Sequence, residues 1–187
     1  MTALNGIHVT SPAEPVAARG RYLHEAFRVL AGAALLTVSA RIALPAAPVP
    51  ITAQTLAVML LGALLGPHRG TLSVLTYLAV GAAGAPVFAA GGGLPYLLGP
   101  TGGYLLGFVP AAWLAGAMIG RARTFRPVLT VAAFTLSAAV IFAVGLDQLR
   151  MYVSSRRELL MLGLVRFLPG EVLKITLASL VVARLRR

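Results

Sequence analysis

Cysteine is absent from this chain of 187 residues, and other residue types that build catalytic and metal sites are scarce, with three His and five Asp or Glu. Without Cys the chain forms no disulfide, offers no thiolate to a metal and has no cysteine nucleophile. The histidines, His8, His24 and His68, are not spaced to place two imidazoles on one helical face. The sequence therefore predicts neither a bound metal nor a cofactor.

Charge is scarce as well, because only 11% of the residues are charged whereas soluble proteins carry roughly a quarter. Charged residues are missing from 71–120 and 127–146, and a membrane span needs only about 20 consecutive apolar residues. The net charge of +11 would suggest nucleic-acid binding in a soluble chain, but here the basic residues lie in short groups between apolar segments. The sequence predicts an integral membrane protein that is surrounded by lipid and binds no nucleic acid.

Motifs of nucleotide binding and of intramembrane hydrolysis are also missing. There is no G-x-x-x-x-G-K-[ST] loop, no His-Glu-x-x-His pair and no Ser-His-Asp set. The chain is therefore not expected to be an enzyme, and any active transport would draw its energy from another protein.

The apolar residues fall into six segments behind a polar leader. Residues 1–20 lack a continuous apolar run and are expected to form a disordered cytoplasmic leader, and residues 21–187 are expected to form the membrane domain. The predicted fold is all-α with six transmembrane helices, over 26–44, 51–66, 71–87, 101–120, 127–146 and a last segment that ends near Leu185.

An even number of spans places both termini on one side, and the distribution of arginine indicates which side. The terminal side carries ten arginines and the opposite side four: Arg19, Arg21, Arg28, Arg69, Arg121, Arg123, Arg126, Arg184, Arg186 and Arg187, against Arg41, Arg150, Arg156 and Arg157. Both termini are therefore predicted to be cytoplasmic.

Three Gly-x-x-x-Gly pairs occur in the apolar segments: Gly62 with Gly66, Gly103 with Gly107, and Gly116 with Gly120. Such pairs let helix backbones approach closely in lipid. They favour a tight bundle or a docking face for another membrane subunit, and chance spacing in a chain with 20 Gly is the alternative.

The last apolar segment contains an acid and the single Lys of the chain, Glu171 and Lys174. A helix that restarts at Pro169, which we favour over a long helix kinked there, places Glu171 in its first turn near the outer face. The two side chains are three positions apart and share a helical face. They form either an ion pair that neutralises itself or a clamp for a ligand with both donors and an acceptor.

Two further polar elements are candidates for the walls of a site. The Gly-rich connection 88–100 predicts a lid or pocket wall, with Pro100 beginning the next helix and the free N–H groups of that turn available to an anion, and an ordinary hairpin is the alternative. Thr52, Gln54 and Thr55 lie at the mouth of the second helix, where capping alone could explain them.

Four blocks in this order resemble the BioY family, the biotin-specific membrane subunits of energy-coupling-factor transporters: PVPITAQTLAVMLLGALLGPHRG, TYLAVGAAGAPVF, LLGPTGGYLLGF and FLPGEVLK. The resemblance runs from about Arg28 to the C-terminus. It implies a six-helix substrate-binding subunit of a bacterial cytoplasmic membrane that captures biotin in an outward-facing pocket. It also implies a scaffold membrane subunit and a pair of ATPases as partners, although some members are thought to act without them. Self-association is left open.

The resemblance also implies site residues. The family's P-G-D-x-x-K motif corresponds to Glu171 and Lys174, with Glu in place of the usual Asp. Some members have Asn after P-V-F, where this chain has Ala89, Ala90 and Gly91, so backbone groups of Gly91 to Gly93 are expected to replace that hydrogen bond. Glu171 is assigned to the ureido N–H groups of biotin and Lys174 to its carbonyl. The expected aromatic walls are Phe88, Tyr96 and Tyr104, and the candidates for the tail carboxylate are Thr101, Gly102, Gly103, the backbone near Thr52, and Arg166.

Three other functions are weighed against biotin capture. The same architecture could bind another vitamin or small solute. A membrane enzyme acting on a lipid would need a base or a carboxylate cluster, for which only Glu171 and Asp147 remain. A purely structural subunit would rest on the glycine pairs alone.

Overall fold

A computed structural model describes residues 13–120 and 124–186, with only the helical course given for 13–19. The chain is mostly helical, as predicted, and a two-stranded antiparallel hairpin follows the first helix. A 3-10 turn, Val165–Phe167, precedes the last helix. The elements in chain order are α1 (Ala13–Arg41), β1 (Ala43–Leu44), β2 (Ile51–Thr52), α2 (Gln54–Ala82), α3 (Leu94–Leu98), α4 (Gly102–Ile119), α5 (Pro127–Leu149), α6 (Arg156–Gly163) and α7 (Leu168–Leu185).

Four helices in the described part of the chain are long and apolar enough to cross a membrane: Gly20–Arg41, Gln54–Ala82, Gly102–Ile119 and Pro127–Leu149. Helix α7 equals α4 in length, at 18 residues, but contains charged side chains. Large apolar side chains are exposed on the outer surfaces of the helices, as lipid contact requires, among them Leu106, Trp113, Leu136 and Leu180. The protein is therefore a multi-pass membrane protein, and the count of six spans stays a prediction.

Helix α2 is a helical hairpin and not one continuous rod. Gly66 has a φ of 83°, outside the helical region, and Pro67 follows it. A Cβ on Gly70 would lie 3.0 Å from Gly62, although eight positions along a straight helix span about 12 Å. The chain therefore reverses its direction at Gly66 and Pro67. This reversal falls at the boundary between the second and third predicted segments.

Contacts define two ends of the bundle. At the hairpin end, which contains β1 and β2, Arg41 donates to the carbonyl of Pro86 and Gln148 donates to the carbonyl of Gly99 at 2.7 Å. At the opposite end, which contains Gly66 and which we call the Gly66 end, Arg186 donates to the carbonyls of Ala63 and Ile119.

The first helix starts at the Gly66 end, because Glu25 pairs with Arg69 just beyond the reversal. The start of α1 and the end of α7 thus lie at the same end of the bundle, and the side of the membrane stays a prediction. The prediction of a leader at 1–20 falls partly on residues 1–12, which lie outside the described residues, and helix α1 begins at Ala13. Arg121, Arg123 and Arg187 also lie outside the described residues.

The glycine pairs bring helices together within this chain, which confirms their interpretation as close packing. A Cβ on Gly62 would lie 2.3 Å from the carbonyl oxygen of Ala112, and one on Gly103 would lie 2.6 Å from the carbonyl oxygen of Val144. The first contact joins α2 to α4, and the second joins α4 to α5.

Several predicted helix boundaries need correction. The second helix begins at Gln54 and not at 51, because Ile51 and Thr52 pair with Leu44 and Ala43 in the hairpin, which also removes Leu44 from the first helix. The third segment ends at Ala82 and not at 87, just before Gly84, whose φ is 103°. The fifth continues to Leu149.

We predict that Gly62→Ala destabilises the bundle by about 1–3 kcal/mol, because the new methyl group would press on a backbone carbonyl that cannot rotate away. The thermal unfolding midpoint of the protein in detergent, followed by helix content, measures the change. Gly20→Ala is the matched control, since nothing lies within 4 Å of a Cβ at Gly20. Equal midpoints for the two variants would contradict the close contact.

Candidate functional site

The first turn of α7 meets the start of α2 at the hairpin end, and three polar side chains join there. Helix α7 restarts at Leu168 with Pro169 in its first turn, which confirms the predicted restart. The carboxylate oxygen Glu171 Oε2 accepts hydrogen bonds from Thr55 Oγ1 and from Lys174 Nζ, both at 2.9 Å. Lys174 Nζ also donates to Thr55 Oγ1 at 2.9 Å. The three groups form a closed triangle that ties the two helices together.

The triangle is shielded from solvent and leaves one acceptor unused. The side chains of Glu171 and Lys174 are 4% and 11% exposed. The second carboxylate oxygen, Glu171 Oε1, is buried and has no hydrogen-bond partner among the described residues. A buried acceptor without a partner costs about 1–3 kcal/mol, and more when it is charged. The site is therefore arranged to receive a donor from a ligand.

A cavity of about 40 Å³ lies against this triangle and is called the inner cavity below. Its polar lining is Thr52, Gln54, Thr55, Thr101, Glu171 and Lys174. Its apolar lining is Val49, Pro50, Tyr104, Leu105, Phe108, Ile141, Phe142 and Phe167. One polar corner among apolar walls is the usual composition of a small-molecule site.

Aromatic rings form one wall of the inner cavity. The ring of Tyr104 stacks on Phe167 with centroids 6.0 Å apart and meets Phe142 edge-on at 6.2 Å. The hydroxyl of Tyr104 donates to the carbonyl of Gly163 at 2.8 Å, which fixes the orientation of the ring. The hydrogen bond and the two ring contacts thus restrict the rotation of the Tyr104 side chain.

A hydrogen-bonded chain supports the polar side of the inner cavity. Thr52 Oγ1 donates to Gln54 Oε1 at 3.1 Å, and Gln54 Nε2 donates to the hydroxyl of Tyr77 at 2.7 Å. The Tyr77 hydroxyl in turn donates to the carbonyl of Val87 at 3.3 Å. The amide of Gln54 is therefore held by both of its ends at the cavity wall.

Five of the residues predicted from sequence line the inner cavity: Thr52, Thr101, Tyr104, Glu171 and Lys174. Thr55, which was predicted with Thr52 and Gln54 at the mouth of the second helix, also lines the inner cavity. Phe108, Phe142 and Phe167 were not predicted. Phe167 lies in the FLPGEVLK block beside the acid, which was a usable signal, whereas Phe108 and Phe142 lie in uniformly apolar segments that mark no position.

Two predicted aromatic residues lie elsewhere. Phe88 is fully buried between Tyr77 and Tyr96, with ring centroids at 5.3 and 5.1 Å. Its ring occupies the space left by Gly81, where a Cβ would lie 2.1 Å from the tip of the ring. Tyr96 lines a second cavity, described below.

The remaining predicted residues make structural contacts within the chain. The N–H of Gly91 donates to the carbonyl of Phe88 at 3.4 Å, and that of Gly102 donates to the carbonyl of Gly99 at 3.1 Å. Gly103 packs on α5, as described above. Arg166 donates to the carbonyl of Ala47 at 2.8 Å, which ties the loop of the hairpin to the turn before α7.

A second, more open cavity of about 710 Å³ adjoins the first and is called the outer cavity. It lies between the loop of the β-hairpin and the Gly-rich connection after α2. The two cavities share Pro50 and Thr101 as wall residues. The described residues contain no cluster of three His, Asp or Glu that could hold a metal.

Comparisons with known proteins agree with this architecture. The model of the BioY family matches residues 10–187. Relatives include the biotin transporter BioY of Thermotoga maritima, 39% identical over 82% of this chain and 90% of that protein. The biotin transporter BioY of Rhodobacter capsulatus is 35% identical over 71% of this chain and 76% of its own length.

A solved structure has the same fold. It is the S-component for biotin from an ECF-type ABC transporter, with a TM-score of 0.77 and 26% sequence identity over 89% of this chain and 93% of that one.

We predict that Thr55→Val lowers the free energy of unfolding by about 1–3 kcal/mol, because it removes a hydroxyl that both donates to Glu171 and accepts from Lys174. Thermal unfolding in detergent without ligand measures the loss. Thr176→Val is the matched control, since the hydroxyl of Thr176 is on the exposed side of α7 and donates only to the carbonyl of Val172. Thr55→Ser keeps a hydroxyl and should recover most of the stability. A Thr55→Val protein as stable as the control would contradict the triangle.

Proposed function

We propose that this chain, which belongs to the BioY family, binds biotin in the inner cavity and serves as the substrate-binding subunit of a vitamin transporter. The named relatives are biotin transporters and not enzymes, in agreement with the absence of catalytic motifs from the sequence. The proposal gives the inner cavity a ligand whose chemistry matches its one polar corner.

The unused oxygen of Glu171 is the observation that carries the proposal. The ureido ring of biotin presents two N–H donors beside one carbonyl acceptor, which complements a carboxylate beside an ammonium group. Glu171 Oε1 is free to accept from a ureido N–H, while Oε2 stays with Thr55 and Lys174. Lys174 Nζ has two acceptors within hydrogen-bond distance and can direct its third N–H to the ureido carbonyl.

The apolar part of biotin matches the apolar lining of the rest of the inner cavity. The fused rings would pack on the wall formed by Tyr104, Phe142 and Phe167. Thr52 and Thr101 would then lie beside the tail of the ligand. Thr55 joins the proposed site because it holds both charged groups. Phe88, Gly91, Gly102, Gly103 and Arg166 make the contacts within the protein that are described above, and their contact with the ligand stays a prediction.

We also propose six membrane crossings with both termini in the cytoplasm, after a cytoplasmic leader at 1–20. The reversal at Gly66 supports the count, because it divides α2 into two antiparallel arms of about 18 and 24 Å. The positive charges support the orientation. Over the full sequence, ten arginines lie on the side of the termini and five on the other side, namely Arg41, Arg150, Arg156, Arg157 and Arg166. The inner cavity would then open outward across a bacterial cytoplasmic membrane.

Partners follow from the similarity to a subunit of an ECF-type ABC transporter. We propose that a scaffold membrane subunit and a pair of ATPases complete the transporter, since the chain has no phosphate-binding loop of its own. The exposed apolar surfaces of the helices are large enough for contact with such a subunit as well as with lipid.

A different vitamin is the second candidate, because a carboxylate and an ammonium would also bind other ring amides. Lipoate tests whether the ring of the ligand is recognised, since lipoate has the same pentanoate tail as biotin on a ring without a urea. Binding of lipoate as tight as that of biotin would show that the ring is not recognised by Glu171 and Lys174.

We predict that Glu171→Gln and Lys174→Ala each weaken biotin binding about 30-fold to several thousand-fold, since removing one partner of a buried charged contact costs roughly 2–5 kcal/mol. Isothermal titration of the purified protein in detergent measures the dissociation constants. Glu158→Gln is the matched control, because Glu158 is exposed on α6 away from both cavities, and it should bind biotin as the original protein does. A folded Glu171→Gln protein with unchanged affinity would refute the assignment.

A further inference from the structure

The geometry points to a ligand class wider than free biotin: cyclic ureas whose tail is extended through an amide bond, with the tail leaving the inner cavity between Pro50 and Thr101 and lying in the outer cavity. This inference rests on the proposed function, because it takes the ureido ring to be held at Glu171. It concerns the other end of the ligand, which the inner cavity does not recognise by charge.

The two cavities adjoin each other, and the outer one opens to the surface. Pro50 and Thr101 belong to the walls of both. Pro50 comes from the hairpin and Thr101 from the turn before α4, so two separate loops meet at the passage. If the ring of the ligand is held at Glu171 and packed on the aromatic wall, the tail of the ligand points either at the cavity walls or through this passage. The outer cavity, at about 710 Å³, has more room than the inner one, at about 40 Å³.

The charges of the two cavities differ. Every residue that lines the outer cavity in the described part of the chain is uncharged, and the lining is rich in Pro and Ala: Pro45, Ala46, Ala47, Pro48, Ala90 and Pro95. A carboxylate at the end of the tail would find no cation among these side chains. Arg166, the cation attached to this loop, donates to the carbonyl of Ala47. A neutral amide would therefore be accommodated as well as a carboxylate.

The inner cavity does not supply the missing cation. Lys174 is its basic side chain, and the ammonium group is held by Glu171 and Thr55 on the side of the ureido ring. A carboxylate that competed for it would separate a buried ion pair, which is unfavourable. Specificity is thus concentrated at the ring, and the site should accept biotin that is joined through its carboxyl group to an amine, including the side-chain amine of lysine.

Competition binding tests the inference with the full chain in detergent. Biotin, biotin amide and the amide of biotin with the lysine side chain are titrated against a fixed radiolabelled biotin probe. We expect the three dissociation constants to agree within about threefold, because no ion pair is lost. An amide that binds more than about 30-fold more weakly than biotin would overturn the inference, since a loss of that size indicates that a charged group recognises the carboxylate. Failure of biotin itself to bind would instead refute the proposed function, and the inference with it.

A variant of the outer cavity tests the path of the tail. Ala90 is exposed and lines only the outer cavity, so Ala90→Trp should narrow that space while leaving the ring site intact. We expect the ratio of the dissociation constants of the lysine conjugate and of biotin to rise at least about tenfold. Ala83→Trp is the matched control, because Ala83 is exposed and lines neither cavity, and its ratio should stay unchanged. An unchanged ratio in Ala90→Trp would show that the tail does not enter the outer cavity.

Discussion

The buried carboxylate of Glu171 is the constraint on which the site depends. A charged group inside an apolar bundle is tolerated only when it is paired and hydrogen-bonded. Here one oxygen receives two donors, and the other receives none. The two donors compensate the burial of the negative charge, and the unpaired oxygen remains available to a further donor. A site with both oxygens satisfied would fold more easily and would attract a donor ligand less.

Close helix packing is what brings the second donor to that carboxylate. Thr55 is on α2 and Glu171 is on α7, so the triangle forms only if the two helices are held at a fixed distance. The reversal at Gly66 and the approach of Gly62 to the backbone of α4 set the position of α2. Arg186 joins the same three helices at the other end of the bundle by donating to the carbonyls of Ala63 and Ile119. In lipid, where no hydrophobic force drives helices together, such contacts decide the geometry of the site.

Sequence patterns could predict the features that depend on composition and on local chemistry. Proline in the first turn of a helix predicted the helix restart before Glu171. The spacing of Glu171 and Lys174 predicted that their side chains meet. The remaining walls could not be predicted, because a uniformly apolar segment does not distinguish a side that faces lipid from one that faces a cavity, and so Phe108 and Phe142 gave no signal. Phe88 was expected at the wall of the cavity. Its ring is instead buried against Gly81 at the end of α2, where the lack of a side chain leaves room for it.

The same triangle bears on how a ligand could enter and leave without unfolding the site. Because Thr55 and Lys174 both use Glu171 Oε2, a ureido N–H that binds Oε1 adds a hydrogen bond and breaks none. Binding then costs no separation of buried charges, which would otherwise oppose it by several kcal/mol. Release is equally free of that barrier, since the ion pair stays closed as the ligand departs. In a transport subunit that binds its ligand tightly and later releases it, an ion pair that is closed with and without ligand can contribute to binding and still not oppose release.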